Sequence, residues 1–298
     1  MWVRVRHFVR RLGPMIRGER VITPLATAAP DLAALRASGP APTVTWIGHS
    51  TLLVQLDGVS FLTDPHWGDR SGPFGGLVGV RRHTPPGIAF EDLPPIDFVL
   101  ISHDHYDHLD EPTVRRLAQT SNPRFVVPLG VKAWLEDRGI TNAVELDWGE
   151  SVTVKGLTIV CTPAQHFSGR SLADQGRRLW ASWAVLGSKR FYFGGDSGYF
   201  VHFKEIGDTY GPFDLAALAI GSYQPRETTR LVHTSPEEAL QAWLDLRAAR
   251  FVGIHWGTFA LAVEPFDEPP HRLAVEVERR GMDSAAIWVL KPGETRPW

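Results

Sequence analysis

The sequence predicts an α/β fold, a four-layer α/β/β/α sandwich. Two observations carry the prediction. Short apolar strands first follow one another closely, as in hairpins, and then alternate with helical patterns; this happens once before about residue 150 and once after it. The second is composition: 43% hydrophobic residues, including 11 Trp in a chain of 298, are enough for a substantial core.

The first set of strands reads at Val44–Gly48, Leu52–Asp57, Ser60–Thr63, Ile96–Ile101, Arg124–Pro128 and Ala143–Leu146. A second set reads at Ser151–Val154, Leu157–Thr162, Ser182–Leu186, Arg190–Gly194, Leu215–Ile220, Phe251–Ile254 and Ala285–Leu290. Apolar spacing of three and four predicts helices over Pro112–Gln119, Val131–Arg138, Pro236–Ala249 and Pro270–Arg280, the third opened by Thr234 or Ser235. Residues 1–42 differ in texture, arginine-rich and then Ala/Pro-rich, and read as an arm ahead of a domain over 43–298. The long Gly/Pro-rich stretch Pro65–Pro94 reads as a loop of the length that is either functional or disordered.

Charge is nearly balanced at −2, but residues 1–20 hold six arginines against Glu19, a local +5 that leaves −7 for the rest. A body of that sign with no basic stripe argues against nucleic acid as partner or substrate. The single cysteine, Cys161, excludes an intrachain disulfide and fits a reducing compartment. No run of 18 apolar residues offers a membrane span, and Arg17, Glu19, Arg20 and Pro24 interrupt what a signal peptide needs, so a cytoplasmic location is expected. In the arm, Trp2, Val5, Val9, Leu12 and Ile16 recur at helical spacing among arginines. Such a stripe suits peripheral contact of residues 2–16 with an inner membrane face, or packing on the protein's own surface or on a subunit partner in a homodimer.

The densest chemistry lies in Ser102-His103-Asp104-His105-Tyr106-Asp107-His108-Leu109-Asp110, directly after an apolar strand. Imidazoles and a carboxylate crowded at the end of a buried strand suit a borderline-soft divalent cation, zinc above all. Further ligand-type residues end later strands: His166, Asp196 behind Gly194-Gly195, and His255.

This series, His103-x-His105-x-Asp107-His108 followed by His166, Asp196 and His255, resembles the metallo-β-lactamase superfamily. Within it the flanking segments are similar to the N-acylphosphatidylethanolamine-hydrolysing phospholipases D and their bacterial relatives. These segments include Trp46-Ile47-Gly48-His49-Ser50, Leu93-Pro94-Pro95-Ile96-Asp97, Glu145-Leu146-Asp147-Trp148, Gly211-Pro212-Phe213-Asp214 and Ile254-His255-Trp256-Gly257-Thr258. The likeness runs from about Thr43 to the C-terminus.

The resemblance implies two zinc ions, with iron or manganese as substitutes: one held by His103, His105 and His166, the other by Asp107, His108 and His255. Asp196 would bridge them, and Asp64 in Phe-Leu-Thr-Asp-Pro would support a ligand imidazole from behind. His233 matches a histidine near the family's active site, placed to touch a phosphate oxygen or help a leaving group, or else it is a histidine of the loop that caps the following helix. Asp107 and His233 are thus the expected catalytic pair, His49 a structural hydrogen-bonding partner, and Tyr223 and Arg226 candidate pocket residues. Asp104 stands where the mammalian enzymes carry asparagine and is expected to point away from the metals.

The activity implied is phosphodiester hydrolysis of an N-acylphosphatidylethanolamine-like phospholipid, giving an N-acylethanolamine and phosphatidate. The same two-metal chemistry acts equally on a lactone or another ester, and a non-catalytic metal-binding scaffold or sensor is the alternative outside enzymes.

Overall fold

A computed structural model describes residues 22–37, 39 and 41–298. The apolar stripe expected over residues 2–16 lies outside them. The first half of the chain supplies β1 (Thr43–Gly48), β2 (Thr51–Leu56), β3 (Val59–Thr63), the short hairpin β4 (Arg70–Ser71) and β5 (Val80–Arg81), β6 (Phe98–Leu100), β7 (Arg124–Pro128) and β8 (Ala143–Leu146). The second half supplies β9 (Ser151–Val154), β10 (Leu157–Thr162), β11 (Ser182–Leu186), β12 (Arg190–Phe193), β13 (Leu215–Ala219), β14 (Arg250–Ile254), β15 (Ile287–Trp288) and β16 (Thr295–Pro297). Helices are α1 (Leu32–Ala37), α2 (Glu111–Thr120), α3 (Val131–Glu136), α4 (His202–Tyr210), α5 (Arg226–Thr229), α6 (Pro236–Asp245) and α7 (Glu268–Arg279).

Two seven-stranded sheets result, ordered β16-β1-β2-β3-β6-β7-β8 and β15-β14-β13-β12-β11-β10-β9. Each begins antiparallel and becomes parallel: β3, β6, β7 and β8 run together in one, β12 to β15 in the other. The C-terminal β16 crosses back to pair with β1, so the last residues close the sheet that the first strand opened.

Strand alternation explains the layers. In β2, Leu52, Val54 and Leu56 face the core between the sheets, while Leu53 faces the outer core under α2 and α3. Phe98 and Leu100 of β6 divide from Val99 in the same way, as Val126 of β7 does from Phe125 and Val127. Both faces of these strands are covered, so they read as continuous apolar runs. Phe61 and Phe98 stack at 4.5 Å where the sheets meet. Outside the second sheet, Phe203 of α4, Leu240 and Trp243 of α6, and Leu273 and Val277 of α7 complete the fourth layer.

Most strand expectations agree with the structure, and the differences have local causes. The apolar run Ile96–Ile101 is paired only over Phe98–Leu100, since Pro94 and Pro95 precede it and Ile101 already turns toward the histidines. Ala285–Leu290 forms a 3₁₀ turn at Ser284–Ala286 and only two paired residues. The stretch 65–94 is not an open loop, because Gly72 and Gly79 approach so closely that a Cβ on either would strike the other's backbone, which closes the β4–β5 hairpin. The lead-in also belongs to the packed body: Ala28 N–H donates to the Pro292 carbonyl at 2.8 Å, and Leu35 is buried in the outer core.

Ser235 caps α6 with a full capping box, its hydroxyl accepting from Glu238 N–H while the Glu238 carboxylate accepts from Ser235 N–H. Ser235→Ala should lower the unfolding free energy by about 1 kcal/mol, read as a shift in the denaturant midpoint at constant slope.

Candidate metal centre

The parallel strands of both sheets end at one edge, and each delivers ligand-type residues there. Beyond β6, the turn from His105 is closed by His108 N–H and Leu109 N–H, both donating to the His105 carbonyl, at 3.1 and 2.9 Å. That turn gathers three imidazoles before α2 begins. His166 follows β10, Asp196 follows β12, and His255 follows β14. Gly195 is required by position: its φ is +54°, and a Cβ there would lie 2.5 Å from the Ser102 Cβ. Thus Asp196 can reach the histidine turn only because its neighbour has no side chain. His49 and His255 both hold left-handed backbones, φ +52° and +60°, and His255 N–H donates to the His49 carbonyl at 3.0 Å. Non-glycine residues adopt that region at a cost, and they concentrate at functional sites.

The side chains form two main clusters, and Asp196 joins members of both in overlapping sets, with His103 and His108 and with His166 and His233. His103, His105 and His166 make the first: His103 Nε2 lies 2.8 Å and His166 Nε2 lies 3.2 Å from His105 Nδ1. Asp107, His108, His255 and His49 make the second, with Asp107 Oδ2 3.3 Å from the Nε2 of His108, 3.3 Å from that of His255 and 3.0 Å from that of His49. Asp196 stands between them, 3.2 Å from His108 and from His255 and 3.7 Å from His166. His233 closes the far side, Nδ1 3.7 Å from Asp196 Oδ2, its ring between those of His166 and His255.

Hydrogen bonds from behind fix where the lone pairs point. Asp64 accepts from Ser102 N–H at 2.7 Å, from Ser102 Oγ–H at 2.6 Å and from His108 Nδ1–H at 2.7 Å. With its proton given to Asp64, the Ser102 oxygen accepts from His103 Nδ1–H at 2.9 Å. His166 Nδ1–H donates to the Val232 carbonyl at 2.8 Å. Three imidazoles thereby turn Nε2 inward, where the neutral form offers a lone pair to a divalent cation. Burial would push His108 down, but without a cation Asp196, Asp107 and Asp64 lift it well above the usual imidazole range, so that it carries charge.

Burial is the largest influence on both central carboxylates and would push them up, but the surrounding imidazoles outweigh it. His108 foremost, with His255 and His233, holds Asp196 well below the usual carboxylate range. His108 with His255 and His49 does the same for Asp107. Burial drives His103 well down and His49 to about 3, keeping both neutral. His255 is lifted to about 9 by Asp196 and Asp107 against its own burial. Buried Nε2 of His108, Nε2 of His255 and Oδ1 of Asp196 have no hydrogen-bond partner in the protein. Orphaned inward-facing N and O donors at one point fit a divalent cation, and in its absence each such atom is costly.

The seven expected ligands therefore converge, and Asp64 lies behind them. His49 makes the supporting hydrogen bond expected of it, to Asp107 at 3.0 Å, and also stands near enough to join the second group. Tyr223 and Arg226 do not line an open pocket. The Tyr223 ring is wholly buried with its hydroxyl on Glu268 at 2.6 Å, and Arg226 donates to the His233 carbonyl at 2.8 Å and to Glu238 at 2.6 Å. Asp104 points away from the centre, accepting from Arg178 and from Gly169 N–H, both at 2.7 Å. Ser102 and the Val232 carbonyl escaped sequence reasoning; only the adjacency of Ser102 to His103 could have signalled the first.

Residues 60–256 match the beta-lactamase superfamily domain. The chain is 46% identical to N-acyl-phosphatidylethanolamine-hydrolyzing phospholipase D 1 of Caenorhabditis elegans over 79% of this chain and 70% of that protein. It is also 46% identical to an uncharacterized protein of Mycobacterium tuberculosis, over 92% and 73% respectively. Among solved structures, the metallo hydrolase Igni18 of Ignicoccus hospitalis superposes with a TM-score of 0.67 at 25% identity, covering 87% of this chain and 98% of that one. With both sheets, the strand-end ligands and these likenesses in agreement, the chain belongs to the metallo-β-lactamase superfamily and is a metal-dependent hydrolase.

Proposed function

We propose that the chain is a dinuclear phosphodiesterase of the phospholipase D type, acting on N-acylated ethanolamine phospholipids. The observation that supports this reading is that Asp196 lies 3.2 Å from His108 and His255 and 3.7 Å from His166, within reach of a histidine from each of two ligand clusters. Identity to the C. elegans phospholipase supplies the substrate class. His103, His105 and His166 would hold one ion, and Asp107, His108 and His255 the other. Two such ions, zinc or else iron or manganese, acidify water and neutralise charge on phosphoryl oxygens.

The chain's own groups then have distinct tasks. Asp107 is ionised and 14% exposed, so its carboxylate accepts a hydrogen bond from the attacking water and aims it at phosphorus. The water oxygen bonds to phosphorus as its proton leaves by way of Asp107 to solvent, from which His233 is reprotonated after turnover, and the P–O bond to the N-acylethanolamine breaks. A His233 proton satisfies the departing alkoxide, and phosphatidate remains. Arg226, through the His233 carbonyl, fixes where that imidazole sits.

Purified protein should bind about two equivalents of zinc. Asp196→Ala should cut both, His166→Ala mainly one, and Asp64→Ala should weaken retention by about 10–100-fold in a chelator competition. Full metal content in Asp196→Ala contradicts a shared ligand.

Turnover in heavy-oxygen water should place the label on phosphatidate. Label on a carboxylate product instead assigns the site to an acyl or lactone hydrolase, and label on the alcohol to C–O cleavage.

His233→Ala should lower turnover of the phospholipid by about 10²–10⁴-fold with metal content intact. Bis(p-nitrophenyl) phosphate, whose leaving group needs no proton, should be hydrolysed with a much smaller loss.

A further inference from the structure

Four of the five most exposed large apolar residues among the described ones belong to loops tied to the segments that carry the ligand-type residues: Phe74 at 82%, Leu77 at 77%, Leu172 at 75% and Leu231 at 61%. They come from three separate loops. Phe74 and Leu77 cap the β4–β5 hairpin, which rests on Pro112 at the start of α2 and, through Arg82, bridges to Phe259 four residues past His255. Leu172 tips the loop 168–178, tied to the histidine turn by Gly169 and Arg178 on Asp104 and by Arg170 on the carbonyls of Asp104 and Leu109. Leu231 lies beside Val232, whose carbonyl holds His166.

Each loop is also basic. Residues 69–82, 168–178 and 226–231 together carry eight arginines against three acids, in a chain whose residues after 20 sum to −7. Arg81, Arg177 and Arg230 are exposed next to the apolar tips. The first described residues arrive at the same edge: Leu25 N–H donates to Thr84 Oγ and its side chain lies against Gly257.

Apolar tips interspersed with arginine match a bilayer interface with anionic headgroups, where the tips enter the acyl boundary and the guanidinium groups meet phosphate. A protein partner or a second copy would not require each of three independent loops to be basic. We propose that Phe74, Leu77 and Leu172, with the flanking arginines, form a docking surface for anionic lipid bilayers that seats the metal centre on the membrane. The proposal rests on the phospholipase reading for its purpose and on the surface alone for its existence.

The test uses the full chain and a Phe74→Ser/Leu77→Ser/Leu172→Ser variant. Sedimentation with vesicles of phosphatidylglycerol and phosphatidylcholine, beside vesicles of phosphatidylcholine alone, reads binding. Hydrolysis of soluble bis(p-nitrophenyl) phosphate reads the site. The wild type should bind the anionic vesicles, and the variant should bind about fivefold less or weaker still, while soluble turnover stays within about twofold. An Arg81→Ser/Arg177→Ser variant should lose the preference for anionic vesicles and keep soluble turnover. Equal vesicle binding by wild type and apolar variant, or no binding by the wild type at low salt, overturns the proposal. A wild-type dimer that the serine variant converts to monomer, without vesicle binding by either, overturns it in favour of a second copy. Loss of vesicle binding with no diester turnover by either protein supports the surface while refuting the phosphodiesterase.

Discussion

The Asp64 carboxylate is the constraint on which the rest of this edge depends. It sits at the end of β3, fully buried, and answers to the histidine turn rather than to solvent. Through Ser102 it sets the protonation pattern of His103, and directly it sets that of His108. One buried anion thus fixes a histidine of each group, so the two halves of the centre are oriented from one point in the first sheet. Such an arrangement tolerates little substitution, because removing the carboxylate leaves several buried donors with no acceptor.

The second sheet meets that point by close approach. Gly195 allows the Asp196 turn to pass against Ser102, and Trp183 Nε1–H donates to the Ile101 carbonyl at 3.0 Å, tying β11 to the strand end that carries the histidines. Asp196 and His255 are separated from His103 by large stretches of chain, yet the site needs them within hydrogen-bond distance. The two sheets hold them there by packing Phe61, Phe98, Phe191 and Trp183 into one core. The metal centre is the outcome of sheet-on-sheet packing, and a cavity in that core would be felt as misplaced ligands.

Much of this was legible in the sequence because buried strands of a two-sided sheet have a recognisable form. Arg124–Pro128, Ala143–Leu146 and Leu157–Thr162 stand in the structure with the boundaries their residues suggest. The ligands were legible for the same reason, since polar residues directly after apolar runs stand out. What escaped depends on tertiary partners. β16 has meaning only because β1 offers an edge, and the β4–β5 hairpin only because two glycines nest. Helix α4, over His202–Tyr210, has one charged or polar face and two buried anchors, a pattern too short to separate from loop. His49 was legible as a hydrogen-bonding partner, but that Asp107 is its partner follows from a left-handed turn that no local pattern announces. Tyr223 and Arg226 looked like wall residues, but burial and ion pairing direct both away from open space.

That outcome for Arg226 changes how the second half of the site is understood. The segment Val232–His233 does two jobs with adjacent carbonyls: one accepts from His166, and the other accepts from Arg226. Arg226 is in turn held by Glu238, whose carboxylate also closes the cap of α6. A ligand of the first group, the imidazole assigned to the leaving group and the start of a helix are therefore one mechanical unit. The loop is long and has few apolar anchors, with Leu231 exposed beside it, so its order comes from these polar ties rather than from burial. Disturbance there should propagate to His166 and His233 together, whereas the histidine turn, anchored by Asp64 from the other sheet, is insulated from it. Beside the buried anchor of Asp64 the centre thus has a second support, a polar clasp on a surface loop that holds His166 and His233.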